Sequence, residues 1–153
     1  MADVVKLGGA KGVGLVLSCV PDATFKTEIT ALIAAGTDVI GKLVALTWSN
    51  NYEVTSPAAG ADFDGEIIDY KKVTRAAGVT YLLSVDMVHF VDQNSVDITP
   101  SRVRVYTYDG TTALQDTVKI DGATYDAVED GGAAGHGAVI SIDTTNTTVD
   151  VLF

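Results

Sequence analysis

The chain has 153 residues, 47% of them apolar and 20% charged, with 20 acidic against 10 basic groups. That length predicts one domain with a sizeable core, and the apolar share excludes a disordered chain. A net charge of −10 argues against a nucleic-acid surface, which needs clustered Lys and Arg to release counterions.

Cys19 is the only cysteine, so no internal disulfide can form, and its apolar setting in GLVLSCV predicts a buried, inert thiol. No apolar run approaches the roughly 20 residues that span a bilayer, and MADVVKLGG has no signal-length apolar stretch. The expectation is a soluble protein made in a cytoplasm, with no membrane partner.

Residues 1–14, MADVVKLGGAKGVG, read as an N-terminal arm and a Gly-rich loop, and residues 15–153 as a single β-rich domain. The glycines do not make a phosphate loop. Lys11 precedes Gly12 with no Ser or Thr after it, and Gly9, Gly12 and Gly14 lack the dinucleotide spacing.

GLVLSCV reads as a short buried strand. In PDATFKTEITALIAAG, the residues Phe25, Ile29, Leu32 and Ile33 fall on one helical face. Asp22 suits the N-cap and Gly36 the C-terminal stop, so a short helix is predicted over residues 22–36. Its rival is a strand and turn, because Thr24, Thr27, Ile29 and Thr30 are β-branched.

From residue 37 the pattern is sheet. TDVIGKLVALTW leads to a turn at Ser49, Asn50 and Asn51, and YEVTS returns. After PAAGA comes DFDGEIIDY. GVTYLLSVDMVHFVD, residues 78–92, alternates with apolar groups on both faces, as a central covered strand would. SRVRVYTYDG and DTVKIDGATYDAV each carry an Asp-Gly turn signal. EDGGAAGHGA is a glycine loop, and AVISID-TTN-TTVDVLF is a final strand–turn–strand. The fold class is therefore all-β, a mainly antiparallel sandwich or small barrel, with one short α-helix near residues 22–36.

Chemistry is sparse. The two histidines stand far apart in sequence. His89 lies on an apolar strand face and reads as a satisfied core or interface residue, since a general base needs an orienting partner. His136 lies in a glycine segment too mobile to hold a catalytic group without help. HxxxH, CxxC and HExxH are absent, so neither a transition-metal site nor any other cofactor is expected. Asp62, Asp64 and Glu66 alternate in ADFDGEI and are the best calcium candidates, though without the EF-hand spacing. The plainer reading makes them a solvated strand edge that resists edge-to-edge pairing. Arg102 and Arg104 share one strand face and read as solvated. No serine lies in GxSxG, so no catalytic residue is assigned.

Residues 37–70, TDVIGKLVALTWSNNYEVTSPAAGADFDGEIIDY, have a distinct cadence. A glycine introduces a strand, a polar hairpin returns it, and an Ala/Gly loop leads to a second glycine-marked strand. This resembles the small β-rich decoration, or cement, proteins of tailed-bacteriophage capsids, as do the chain's size, acidity and Ala/Thr/Gly/Val bias. The resemblance implies a non-enzymatic virion protein, made in the host cytoplasm and carried on the capsid exterior. It further implies a homotrimer that clamps neighbouring copies of the major capsid protein.

On that reading, Val4, Val5 and Leu7 would anchor the arm on a neighbour by strand addition, and Trp48 and Tyr52 at the hairpin tip would be interface aromatics. Trp48 suits packing over its own barrel's end equally well. Alternatives are a tail-tube subunit, for which residues 93–117 would supply the extended hairpin, a carbohydrate-binding or adhesin-like module, and a small hydrolase using Asp or Glu pairs.

Overall fold

A computed structural model describes residues 14–47, 52–58, 60–90, 99, 102–108, 117–120, 127–131 and 135–153. The strands are β1 (Leu15–Pro21), β2 (Leu43–Thr47), β3 (Glu53–Thr55), β4 (Gly65–Arg75), β5 (Gly78–Met87), β6 (Val103–Tyr108), β7 (Val118–Ile120), β8 (Ala127–Asp130), β9 (Ala138–Asp143) and β10 (Thr148–Leu152). The helix, α1, spans Ala23–Ala34. The expectation of an all-β fold with one short helix holds. Strands β1–β3–β2–β4–β5 close a barrel, and β7–β8–β6–β10–β9 form a five-stranded sheet.

The helix forms where the apolar spacing predicts it, and its ends are capped. Asp22 Oδ1 accepts the Phe25 amide at 2.7 Å. At the other end Gly36 takes φ +73°. Its amide donates to Ile33 O at 3.0 Å, and the Thr37 amide to Leu32 O at 2.9 Å, which is a Schellman stop. β-branching does not win, because Phe25 and Ile29 are carried into the barrel core beside Cys19, Val54, Leu83 and Val85. Burying each of those two side chains is worth about 1.5–3 kcal/mol, more than the few tenths that a β-branched residue costs a helix.

Closure of the barrel depends on β1. It runs antiparallel to β5, with Leu15 opposite Met87 and Cys19 opposite Leu83, and then parallel to β3 at Val20 and Pro21. The second sheet also has one parallel pair, β6 with β8. These two pairs depart from an otherwise antiparallel plan. Strand β5 ends at Met87, short of the 78–92 run that the alternation predicts, and is flanked by β4 on one side and, from Leu83 onward, by β1 on the other. Its residues Tyr81, Leu83, Val85 and Met87 are buried in the barrel.

A second core lies between the barrel and the other sheet. Leu43, Phe63 and Val88 pack there against Tyr106, Tyr108, Val118, Val149 and Val151. Phe63 makes an edge contact with Tyr106 at 5.6 Å and with Phe153 at 6.3 Å. The final strand–turn–strand forms as expected. Asp143 Oδ1 accepts the amides of Thr145 and Asn146 in the turn, and β10 lies between β9 and β6.

The longest hairpin described is β4–β5. Strand β4 pairs with β2 only at Gly65 and Glu66, and β5 pairs with β1 only from Leu83 onward. Ile67 still exchanges backbone hydrogen bonds with Gly41 and Lys42, and past it, among the described residues, the rest of this hairpin is two-stranded. Most of residues 93–117, the region expected to supply such a hairpin, lies outside the described residues.

Candidate functional site

The alternating acids of ADFDGEI are not a solvated edge. Each takes a different basic partner: Asp62 meets His136, Asp64 meets His89, and Glu66 meets Arg104. The intervening Phe63 is fully buried in the second core. The alternation is thus real, but it turns the carboxylates toward partners that sequence order hides.

Asp64 is the best-fixed of the three. Its amide donates to Val44 O at 2.9 Å, and its carbonyl accepts from the Val88 and His89 amides at 2.8 and 3.1 Å. Its Oδ2 accepts the Leu46 amide at 2.8 Å. Its Oδ1 stands 3.0 Å from His89 Nδ1. Backbone, carboxylate and imidazole are therefore positioned together.

His136 is also held. Its amide and carbonyl each exchange a 3.0 Å hydrogen bond with Val118 of β7. The expectation of a mobile glycine segment fails at this position for a packing reason. A Cβ on Gly135 would stand 2.5 Å from Thr117 Oγ1 and 2.6 Å from Val118 O, so the glycine permits backbone to lie directly on β7. His136 Nε2 then reaches Asp62 Oδ2 at 2.8 Å.

The two imidazoles come together as a stack, with centroids 3.8 Å apart and planes at 30°. The outcome is a compact group of two histidines, each against its own carboxylate. Side-chain exposure is 13% for Asp64, 23% for His89, 29% for His136 and 35% for Asp62. Burial pushes the Asp62 carboxyl above its ordinary range, against the pull of His136 and His89. Its Oδ1 is buried without a hydrogen-bond partner. Each histidine thus has the orienting partner that a base or a metal ligand needs.

A second polar group joins the barrel to the other sheet. Arg102 donates to Asp86 Oδ1 and to Met87 O at 2.8 Å, and Arg104 pairs with Glu66 and with Asp86 Oδ2 at 3.1 Å. The expectation of solvated arginines is overturned: the Arg102 and Arg104 side chains are 5% and 18% exposed. They are buried because β6 faces the barrel, where Asp86 and Glu66 supply the countercharge. Burial pushes the Glu66 carboxyl up against the pull of Arg104. It pushes the Tyr106 phenol up as well.

Of the residues expected at an interface, Tyr52 is exposed, at φ +53° on the lip of the β2–β3 hairpin. Val4, Val5, Leu7 and Trp48 lie outside the described residues. Cys19 is fully buried and its thiol is pushed up to about 11 by that burial. Among the described residues, no helix is long and apolar enough to cross a membrane.

The fold and these two polar groups define an all-β protein of two sheets and one short helix, joined by buried ion pairs. No protein-family model, curated protein or solved structure matches the chain.

Proposed function

We propose that the chain is a structural virion protein that binds the outer surface of a phage capsid and stabilises it by clamping neighbouring capsomers. Its partners on this reading are the major capsid protein and two further copies of itself.

The observation that carries the reading is the β4–β5 hairpin. Beyond Ile67 and Leu83 its strands pair in the sheet only with each other among the described residues, and beyond Tyr70 and Tyr81, which still pack on the barrel core, the ribbon runs free of it. A lone two-stranded ribbon is marginal in water, and its unpaired edges suit contact with a neighbour. Lys71, Lys72 and Arg75 are exposed along it, although the chain as a whole carries −10. Ile68 and Val79 are exposed on the same hairpin. A basic, partly apolar arm on an acidic body fits an acidic seam between other subunits. The ion pairs between barrel and sheet support the same reading, because a clamp must transmit load without shearing.

The same hairpin favours a second reading, a tail-tube subunit. Sedimentation velocity, alone and with purified capsids, separates the two. Trimers that co-sediment with capsids support the clamp, whereas hexameric rings that ignore capsids support the tube. A monomer that does neither overturns both.

A further inference from the structure

Asp64 at the mouth of β4, His89 just past β5 and His136 beside β7 place one possible ligand atom each within 4.8 Å of one another. We propose that these three residues bind a divalent first-row transition ion of the zinc class, with Asp62 positioning His136.

The donor set selects the ion. Two imidazoles and a carboxylate suit zinc and its neighbours, whereas calcium takes six to eight oxygens. The spacing is close to what such an ion needs. With bonds of about 2.0–2.1 Å, two donors on one tetrahedral ion stand about 3.3 Å apart. His89 Nδ1 and Asp64 Oδ1 are already at 3.0 Å. The third donor lies within 4.8 Å of the other two, so it closes on them by no more than about 1.5 Å.

The backbone supplies a rigid seat. Asp64 is fixed by Val44, Leu46 and Val88, and His136 by Val118. What must move is the rings. Imidazoles stacked at 30° cannot both aim a lone pair at one ion, so binding turns them apart about their side-chain bonds. Asp62 Oδ2 lies 2.8 Å from His136 Nε2, the carboxylate–histidine relation that orients metal-bound rings. Its other oxygen, buried without a hydrogen-bond partner, adds negative potential beside the site. Two carboxylates against two imidazoles leave the group electrically suited to a dication.

The ion would tie the barrel to the second sheet through His136 beside β7, where Arg102 and Arg104 tie it through the β6 side. It would join segments centred on residues 64, 89 and 136, so it closes long loops and stabilises the folded chain by mass action.

The test uses the full chain, without a histidine tag and stripped with chelator. Titration with Co²⁺ should give visible ligand-field bands at one equivalent. Zn²⁺ at about 100 times its Kd should raise Tm by on the order of 5–10 °C, with Ca²⁺ inert. His89→Gln and His136→Gln should each abolish the bands, and Asp62→Asn should weaken binding about 10- to 100-fold. Variants are compared by far-UV circular dichroism without metal. Should either fail to fold, proton NMR of the wild type decides, because the chain has two histidines and both ring signals should shift with Zn²⁺. The proposal is overturned by no binding up to millimolar metal, by undiminished binding in both His variants, or by unshifted ring signals. Unchanged affinity in Asp62→Asn removes Asp62 from it.

Discussion

Arg104 of β6 is ion-paired with Glu66 of β4, so a residue of the second sheet neutralises a carboxylate of the barrel. Asp86 of β5 lies between this pair and Arg102, and two guanidiniums and two carboxylates balance in one buried group. Arg104→Ala should therefore cost about 3–5 kcal/mol in urea unfolding, because it strands buried charge. The double variant Glu66→Leu/Arg104→Leu should recover most of that loss. A double variant as weak as the single one would show that the pair itself, not its imbalance, holds the seam.

Cys19 predicts an alkaline limit to stability. Its folded pKa, about 11, exceeds the ordinary thiol value of 9.0. A raised acid contributes stability that is complete below the unfolded pKa and is lost as pH rises through the folded one. Unfolding free energy should thus fall between pH 9 and 11, by up to about 1.4 kcal/mol per pH unit from this group. Cys19→Ala should flatten that slope, and a thiol reagent should label native protein far more slowly than unfolded protein.

The helix cap gives a smaller effect. Asp22→Ala removes the acceptor of the Phe25 amide and should cost about 1 kcal/mol, read as a lower denaturant midpoint with an unchanged m-value. An unchanged midpoint would mean that barrel packing alone holds α1.

Gly135→Ala should be costlier than its half-buried setting suggests. The new methyl would meet Thr117 and the Val118 carbonyl, and relief of that overlap should cost about 1–3 kcal/mol. Because His136 follows directly, the change should also shift its ring signals in NMR. A neutral substitution would show that the segment has room to move.

The hairpin can be tested by charge reversal. Lys71→Glu/Lys72→Glu/Arg75→Glu changes exposed residues away from both cores, so Tm should stay within a degree or two. Capsid co-sedimentation should fall at least tenfold and lose its salt dependence. Retained attachment would exclude the hairpin from the contact.

Local elements were legible in the sequence because their causes are local. Asp22, Gly36 and the spacing of Phe25 and Ile29 specify α1 without reference to anything distant. Alternation from Tyr81 to Met87 specifies β5 in the same way. The His–Asp group was not legible, since His89 and His136 meet only through the β7 bridge and the end of β5. The one readable sign was Asp62-Phe63-Asp64, where an apolar residue between two acids implies that one direction is core and the other a polar cluster. The burial of Arg102 and Arg104 is not legible locally, because burial of a charge depends on countercharge, and theirs comes from strands β4 and β5.

The barrel strands all come from residues 15–87 and those of the second sheet from residues 103–152. A ribosome therefore releases the first half bearing Glu66 and Asp86 while both arginines are still to be made. In the barrel by itself Glu66 and Asp86 stand opposite each other across β4 and β5, two like charges without either guanidinium. Final locking therefore waits on the later half of the polypeptide, which neutralises the earlier one.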